Sequence, residues 1–484
     1  MPAKISLQRK PSATLPKGCA HALVLLPAAD RLPAAFRGAD ALRRILKRRG
    51  AAPASLATKP LAGDCDGVLT AWLMCDPAAA AFELHVAVRK AVQLLAAEEP
   101  ASIALDAGAA PGAAQEALYV ILANGEYQLG KPGAPRKALT EVFVSGAPGT
   151  LDVAAAGARA AGNLLCRDLT LRPANDLAPR AYRDEIRRLA KEMGWKHREF
   201  DFKALRKMGA GAFCAVAQGS PERDAAIVRL TYSPGAKTAP TIALVGKGIC
   251  MDTGGHNLKS AKHMYGMHED MNGSAVALGI LLAAARARMP VRIDCWLAIA
   301  QNHIGPAAYK QGDVVRALDG TSIEIVHTDA EGRMVLADTL TLAARQQPQC
   351  ILDFATLTGS MVVAVGSRMA GVFASRPELA DAALQSGAAS GERVTSFPFP
   401  QDYDEALDSN VADIKQCLLG GEGDAIYAAR FLARFTAGLP WVHMDLSAYR
   451  CEGGLGAVAA DVTGFGVGWG LEMLRRIPGG AAAP

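Results

Sequence analysis

VGKGICMDTGGHNLKSAKHMYGMHEDMNGS, Val245 to Ser274, joins an apolar run to a long alanine-, leucine- and valine-rich helical pattern. The run before it, Thr241 to Val245, reads as a buried strand. Between strand and helix stand two lysines, Lys247 and Lys259, and two aspartates, Asp252 and Asp270, threaded among Gly246, Gly248, Gly254, Gly255 and Gly273. Glycines let backbone turn sharply and approach other groups closely. Charged side chains at the end of a buried strand are where α/β proteins set their chemistry. A second strand pattern, Thr321 to His327, runs into TDAEGR and delivers Asp329, Glu331 and Arg333.

Strand and helix patterns alternate around these stretches. Strands are expected at Ala212–Ala217, Ala226–Tyr232, Val291–Ala300, Ile323–His327, Cys350–Ala355 and Trp441–Leu446. Helices are expected at Ser274–Arg288, Gly332–Arg345, Asp424–Ala437 and Val467–Arg476. Such alternation predicts an α/β fold, with a mostly parallel sheet covered by helices on both faces. Glycine and proline cluster from Gly130 to Thr150, which suggests a boundary. The expected organisation is a smaller N-terminal α/β domain (1–148), a linker helix (149–170) and a catalytic domain (171–484). In the first of these, strands are expected at Ala20–Pro27 and Gly67–Cys75, and helices at Ala39–Arg49 and His85–Ala97.

Composition excludes several classes. The chain has 484 residues, half of them apolar, and a net charge of +5, too small to argue for a nucleic-acid partner. The basic run Arg43–Gly50 reads as a solvated helix face rather than an anion-binding patch. The ten cysteines have no CxxC spacing and read as free thiols in a reducing compartment. The apolar run Ala20–Ala29 is followed by Asp30-Arg31 rather than a cleavage site, and no stretch approaches the ~20 apolar residues of a membrane span. A cytoplasmic location is expected.

If the strands preceding the two charged stretches are neighbours in one sheet, seven polar side chains meet in one crevice. Four carboxylates crowded together cannot all stay ionised without cations. Two divalent ions would balance them and acidify a water as nucleophile. Oxygen-rich ligation suits Mg²⁺ or Mn²⁺, and Zn²⁺ also accepts carboxylates. No GxSxG, HExxH or complete P-loop competes.

VGKGICMDTGGHNLK, MHEDMNGSAVALG and HTDAEGRMVLADTL together resemble the leucyl aminopeptidase family, the two-metal cytosol aminopeptidases. The likeness takes in roughly residues 150–484, including RPAND (Arg172–Asp176), DFATLTG (Asp353–Gly359), VADIK (Val411–Lys415) and WVHMDL (Trp441–Leu446). The resemblance implies a metal-dependent aminopeptidase that removes an N-terminal residue, leucine or another apolar one, from peptides. It implies that Lys247, Asp252, Asp270 and Glu331 hold one ion, and Asp252, Asp329 and Glu331 a more exchangeable one. The ions would be zinc or manganese, with magnesium as an alternative. Lys259 would polarise the substrate carbonyl, and Arg333 would hold a bicarbonate ion acting as base. Met267, Thr356 and Gly359 match positions lining the family's side-chain pocket. A homohexamer, a dimer of trimers, is also implied.

The departures are His256-Asn257, Ser260, His268-Glu269 and His327, none of which removes a ligand. They bear on metal preference, pH optimum and substrate range. Cys250 and His443 are expected in the core. The rival readings are another two-metal class, a phosphatase or nuclease, and an oligomeric DNA-binding protein resting on the Arg43–Arg49 helix.

Overall fold

A computed structural model describes residues 3–10, 14–76, 78–130, 137–235 and 239–477. The glycine- and proline-rich stretch 131–136 and the terminal GGAAAP lie outside the described residues.

The larger sheet has eight strands. In spatial order they are Val394–Ser396, Ala370–Ala374, Trp441–Asp445, Cys350–Ala355, Thr241–Asp252, Arg292–Asn302, Ala226–Tyr232 and Lys196–Asp201. The four from Trp441–Asp445 to Arg292–Asn302 are mutually parallel, and antiparallel pairs extend the sheet on both sides. The central strand shows why both faces must be covered. Ile242 and Leu244 enter one apolar core, with helices Pro179–Met193, Asn272–Arg286 and Val467–Arg476. Ala243, Val245 and Ile249 enter the other, with Gly211–Ala217, Glu331–Ala344 and Asp424–Ala433. A strand buried on both faces reads as a continuous apolar run, because neither side meets water.

Two glycines let helix Asn272–Arg286 start directly on this sheet. A Cβ on Gly246 would lie 2.5 Å from Ser274 Cα, and one on Gly273 would lie 2.1 Å from the Phe354 carbonyl oxygen. The helix N-terminus, with Asp270 just ahead of it, is thereby pinned beside the ends of the central strands.

The smaller sheet has six strands in the order Lys4–Gln8, Glu141–Ser145, Ser102–Asp106, His21–Pro27, Val68–Cys75 and Leu61–Cys65. All its pairs are parallel except the last, a hairpin whose Asp66-Gly67 turn has positive φ at both residues. That geometry matches the twist of hairpin strands. Helix Val153–Leu171 follows, capped by Asp152, which accepts the Ala155 N–H at 2.9 Å.

Two expectations are corrected. Residues 212–217 form part of a helix, Gly211–Ala217, not a strand. Its apolar run, AFCAVA, is too short for periodicity to separate the two, and it holds only one β-branched residue. The strand expected at Ile323–His327 shrinks to Ser322–Glu324 and is not in the main sheet. It belongs to a separate three-stranded strip, antiparallel to Val314–Arg316 and parallel to Ile414–Lys415. Residues 325–330 leave regular pairing to carry the TDAEGR loop.

Candidate active site

The central strand runs past Val245 and through Gly246 to Asp252, so Lys247 and Asp252 are strand residues. Both are buried. Lys247 Nζ sits 2.8 Å from Asp270 Oδ1, 2.8 Å from Glu331 Oε1 and 3.0 Å from the Thr356 carbonyl oxygen. Asp270 comes from the 3-10 turn Met267–Met271, and its Oδ1 also accepts the Thr356 hydroxyl at 2.8 Å. Glu331 opens helix Glu331–Ala344. Lys259 Nζ closes the second half of the cluster, 2.9 Å from Asp252 Oδ2 and 2.5 Å from Asp329 Oδ1.

The two loops are clamped together. The Thr328 hydroxyl donates to the Gly254 carbonyl at 2.6 Å, and its oxygen accepts the Asn257 N–H at 2.8 Å. Asn257 Oδ1 in turn accepts the Thr328 N–H at 2.8 Å. Asn302 Nδ2 bridges Asp252 Oδ1 and the Thr328 carbonyl at 2.8 and 3.0 Å, and the Tyr309 hydroxyl donates to the same carbonyl at 2.7 Å. Gln416, following strand Ile414–Lys415, accepts the Val326 and His327 N–H groups and donates to the Ala330 carbonyl. Asn257, Asn302, Tyr309 and Gln416 escaped the sequence reading. Only Asn257 carried a signal, as a departure from the family pattern.

Burial and crowding shape the electrostatics. Burial alone pulls Lys247 down, but the charges of Asp270, Glu331 and Asp252 outweigh it and push the ammonium up. Lys259 behaves alike, with Asp252, Glu331 and Asp329 outweighing burial. Burial raises Asp270 well above the usual carboxylate range, only partly offset by Lys247. Burial, then Asp252 and Glu331, pushes Asp329 up to about 7.

Two ammonium groups among four carboxyl groups give a formal excess of two negative charges in a mostly buried cluster, the burial and crowding that raise Asp270 and Asp329. Asp270 Oδ2 and Glu331 Oε2 are buried and accept no hydrogen bond, which is costly for a carboxylate oxygen. Asp252, Asp329 and Glu331 can each offer one oxygen within 4.8 Å of the others. The donor set therefore fits divalent cations.

Arg333 is different. Its guanidinium is buried and already has a carboxylate partner: Nη2 donates to Asp424 Oδ1 at 3.0 Å, and Nη1 to the Gln416 carbonyl at 3.3 Å. Only Nε lacks an acceptor. Asp424 thus already takes one of the donors that the expected bicarbonate would use.

Of the expected pocket residues, Met267 and Thr356 are half-buried and Gly359 is exposed. Met267 shares its turn with Asp270, which Thr356 contacts directly. Within this turn the buried Glu269 is held by Arg450 through Nε at 2.9 Å and through Nη2. His268 Nε2 approaches Glu269 at 3.9 Å, His256 is exposed, and His327 Nδ1 accepts the Asp329 N–H at 3.2 Å. His443 is a core residue with Nδ1 2.6 Å from Asp353, and Cys250 is a buried thiol that burial pushes up.

A sequence profile of the cytosol aminopeptidase family's catalytic domain matches residues 164–469. A probable cytosol aminopeptidase of Stutzerimonas stutzeri is 43% identical over 293 residues, covering 60% of this chain and 59% of that protein. One from Acidovorax ebreus is 39% identical over 365 residues, 75% of this chain and 71% of its own. In the Stutzerimonas protein and a Nitrobacter winogradskyi relative the match spans only about three fifths of the length, 59% and 62%. Among solved structures, the bottromycin maturation enzyme BotP in complex with Mn superposes with a TM-score of 0.83 at 32% identity. It covers 95% of this chain and 99% of its own.

Proposed function

The chain belongs to the cytosol aminopeptidase family, and we propose that it is a metal-dependent exopeptidase removing N-terminal apolar residues, leucine among them, from peptides. The observation that carries this reading is the convergence of Lys247, Asp252, Asp270, Asp329 and Glu331 from two clamped loops, with buried oxygens left unpartnered. Lys247, Asp252, Asp270 and Glu331 would hold one ion, and Asp252, Asp329 and Glu331 a second. Manganese is the first choice, given the Mn complex of the similar BotP structure, with zinc and magnesium as alternatives. Bound there, such ions supply positive charge to the substrate carbonyl and acidify a water.

The chain's own groups do the rest. Lys259, freed from Asp252 and Asp329 once cations balance them, donates a hydrogen bond to the scissile carbonyl oxygen and stabilises the charge that develops there. Met267, Thr356 and Gly359 line the pocket for the leaving residue's side chain. Helix Glu331–Ala344 fixes Glu331 and Arg333 on one rigid element. The family resemblance supports a homohexamer and a cytoplasmic location, and the glycine- and proline-rich stretch from Gly130 to Thr150 supports the division at 148 and 170 into N-terminal domain, linker and catalytic domain. Among the described residues no helix is long and apolar enough to cross a membrane.

Glu331→Ala tests the assignment, because it removes an oxygen donor shared by both ions. The expected outcome is loss of leucine-anilide hydrolysis in Mn²⁺ with an unchanged circular dichroism spectrum. Full activity in that variant, with the fold intact, refutes the reading.

A further inference from the structure

Asp424 is the first residue of helix Asp424–Ala433, and its carboxylate is 28% exposed while the guanidinium it meets, on Arg333, is 3% exposed. The helix N-terminus favours a negative charge at that position. The next residue, Ala425, donates its N–H to Ser360 Oγ at 3.1 Å, and Ser360 follows Gly359 of the candidate substrate pocket. Asp424 thus joins the arginine two residues beyond Glu331 and, through the neighbouring Ala425 N–H, the Gly359–Ser360 turn at the candidate pocket.

We propose that Asp424 is a built-in carboxylate base, seated on Arg333 where a bicarbonate ion was expected, so that the enzyme works without that ion. The inference rests on the aminopeptidase reading. Asp424 takes a proton from the attacking water as the water oxygen bonds to the scissile carbonyl carbon. It then hands that proton to the amide nitrogen as the C–N bond breaks, regenerating the carboxylate. One water is consumed, and one amino acid and a shortened peptide with a free amine are released. Arg333 is the positioning residue: its Nη2 donor fixes the carboxylate.

The experiment uses two variants, because removing the carboxylate leaves a buried guanidinium uncompensated. Asp424→Asn keeps the shape and fills the seat, whereas Asp424→Ala empties it. In CO₂-free buffer the Mn²⁺-loaded wild type should be fully active, and both variants should lose about 10²-fold or more in kcat. Added bicarbonate should restore Asp424→Ala in a saturable manner and leave Asp424→Asn inactive. Independently of activity, ¹³C-bicarbonate should show line broadening with metal-free Asp424→Ala and none with metal-free wild type. Wild type that binds the labelled ion as Asp424→Ala does, variants that stay fully active, or an alanine variant that bicarbonate fails to restore would each overturn the inference. A wild type inactive on every aminoacyl anilide would instead count against the peptidase reading, and the ¹³C titration would still decide who occupies Arg333.

Discussion

Replacing Gly332 by alanine probes how closely the two halves of the site are fitted. A methyl group there would stand 2.7 Å from both Cε and Nζ of Lys247 and 2.9 Å from its Cδ. Ordinary contact begins near 3.4 Å, so the lysine tip must retreat by about 0.7 Å. It has no free direction, because Asp270 and Glu331 hold the ammonium at 2.8 Å and the Thr356 carbonyl at 3.0 Å. A retreat of that size carries at least one of these contacts past the ~3.2 Å limit of a good hydrogen bond. Overpacking of this kind costs about 1–3 kcal/mol. Alanine recovers up to ~1 kcal/mol of helix propensity over glycine, leaving a net loss of about 1 kcal/mol in global stability. The cation site takes the whole displacement, so Mn²⁺ affinity should fall ~10-fold or more, equivalent to ~1.4 kcal/mol. Urea denaturation reads the first quantity and calorimetric titration of Mn²⁺ into metal-free protein the second. An Mn²⁺ affinity equal to that of the wild type would refute the reasoning, since the lysine would then have moved without consequence.

Two further substitutions test the frame. Gly273→Ala drives a methyl group to 2.1 Å from the Phe354 carbonyl oxygen and 3.0 Å from Ala355 Cα, both backbone atoms. It should cost about 3 kcal/mol or more, read as a lowered Tm or lost soluble yield, and a wild-type Tm would contradict the close seating of that helix. Glu116 accepts Arg159 at 3.1 Å and lies 2.5 Å from His85. Burial alone would raise its carboxyl, but the His85 hydrogen bond and the Arg159 charge outweigh it and hold it at about 2. With the folded pKa depressed, its stabilisation is present above the ordinary value of 4.5 and is lost as pH falls through about 2. Glu116→Gln should therefore cost about 3 kcal/mol at pH 7, a gap that narrows on acidification in urea melts. A gap constant from pH 7 to pH 3 would rule out the ionised partner.

Much of the sheet was legible because its strands advertise burial. Ala226–Tyr232 and Cys350–Ala355 coincide with the expected runs, since strands covered on both faces admit few polar residues. Helix Val467–Arg476 also coincides, with Leu471 and Leu474 buried on one side and arginines in its last turn. The strand Lys196–Asp201, KHREFD, was missed because it lies at the sheet edge and keeps charged side chains toward water. The continuation of the central strand was missed because Gly246, Lys247 and Gly248 read as loop. There the glycines admit a helix end, and the lysine is buried among carboxylates. The charged cluster was recognisable because its residues sit in two compact motifs. Asn302, Tyr309, Gln416 and Asp424 were not, since each is an ordinary residue in an ordinary stretch. Only folding brings them within reach of TDAEGR.

Asp329 lies in the loop leaving the small strip of Val314–Arg316, Ser322–Glu324 and Ile414–Lys415, and Glu331 heads helix Glu331–Ala344, while Lys247 and Asp252 are rooted in the eight-stranded sheet. The two jaws of the crevice thus have separate foundations, joined at the Thr328–Asn257 clasp. A shift of the strip reaches Asp329 through the TDAEGR loop, while the strands that hold Lys247 and Asp252 keep their own pairing. A scaffold divided in this way lets selection explore new appetites while the frame stays put.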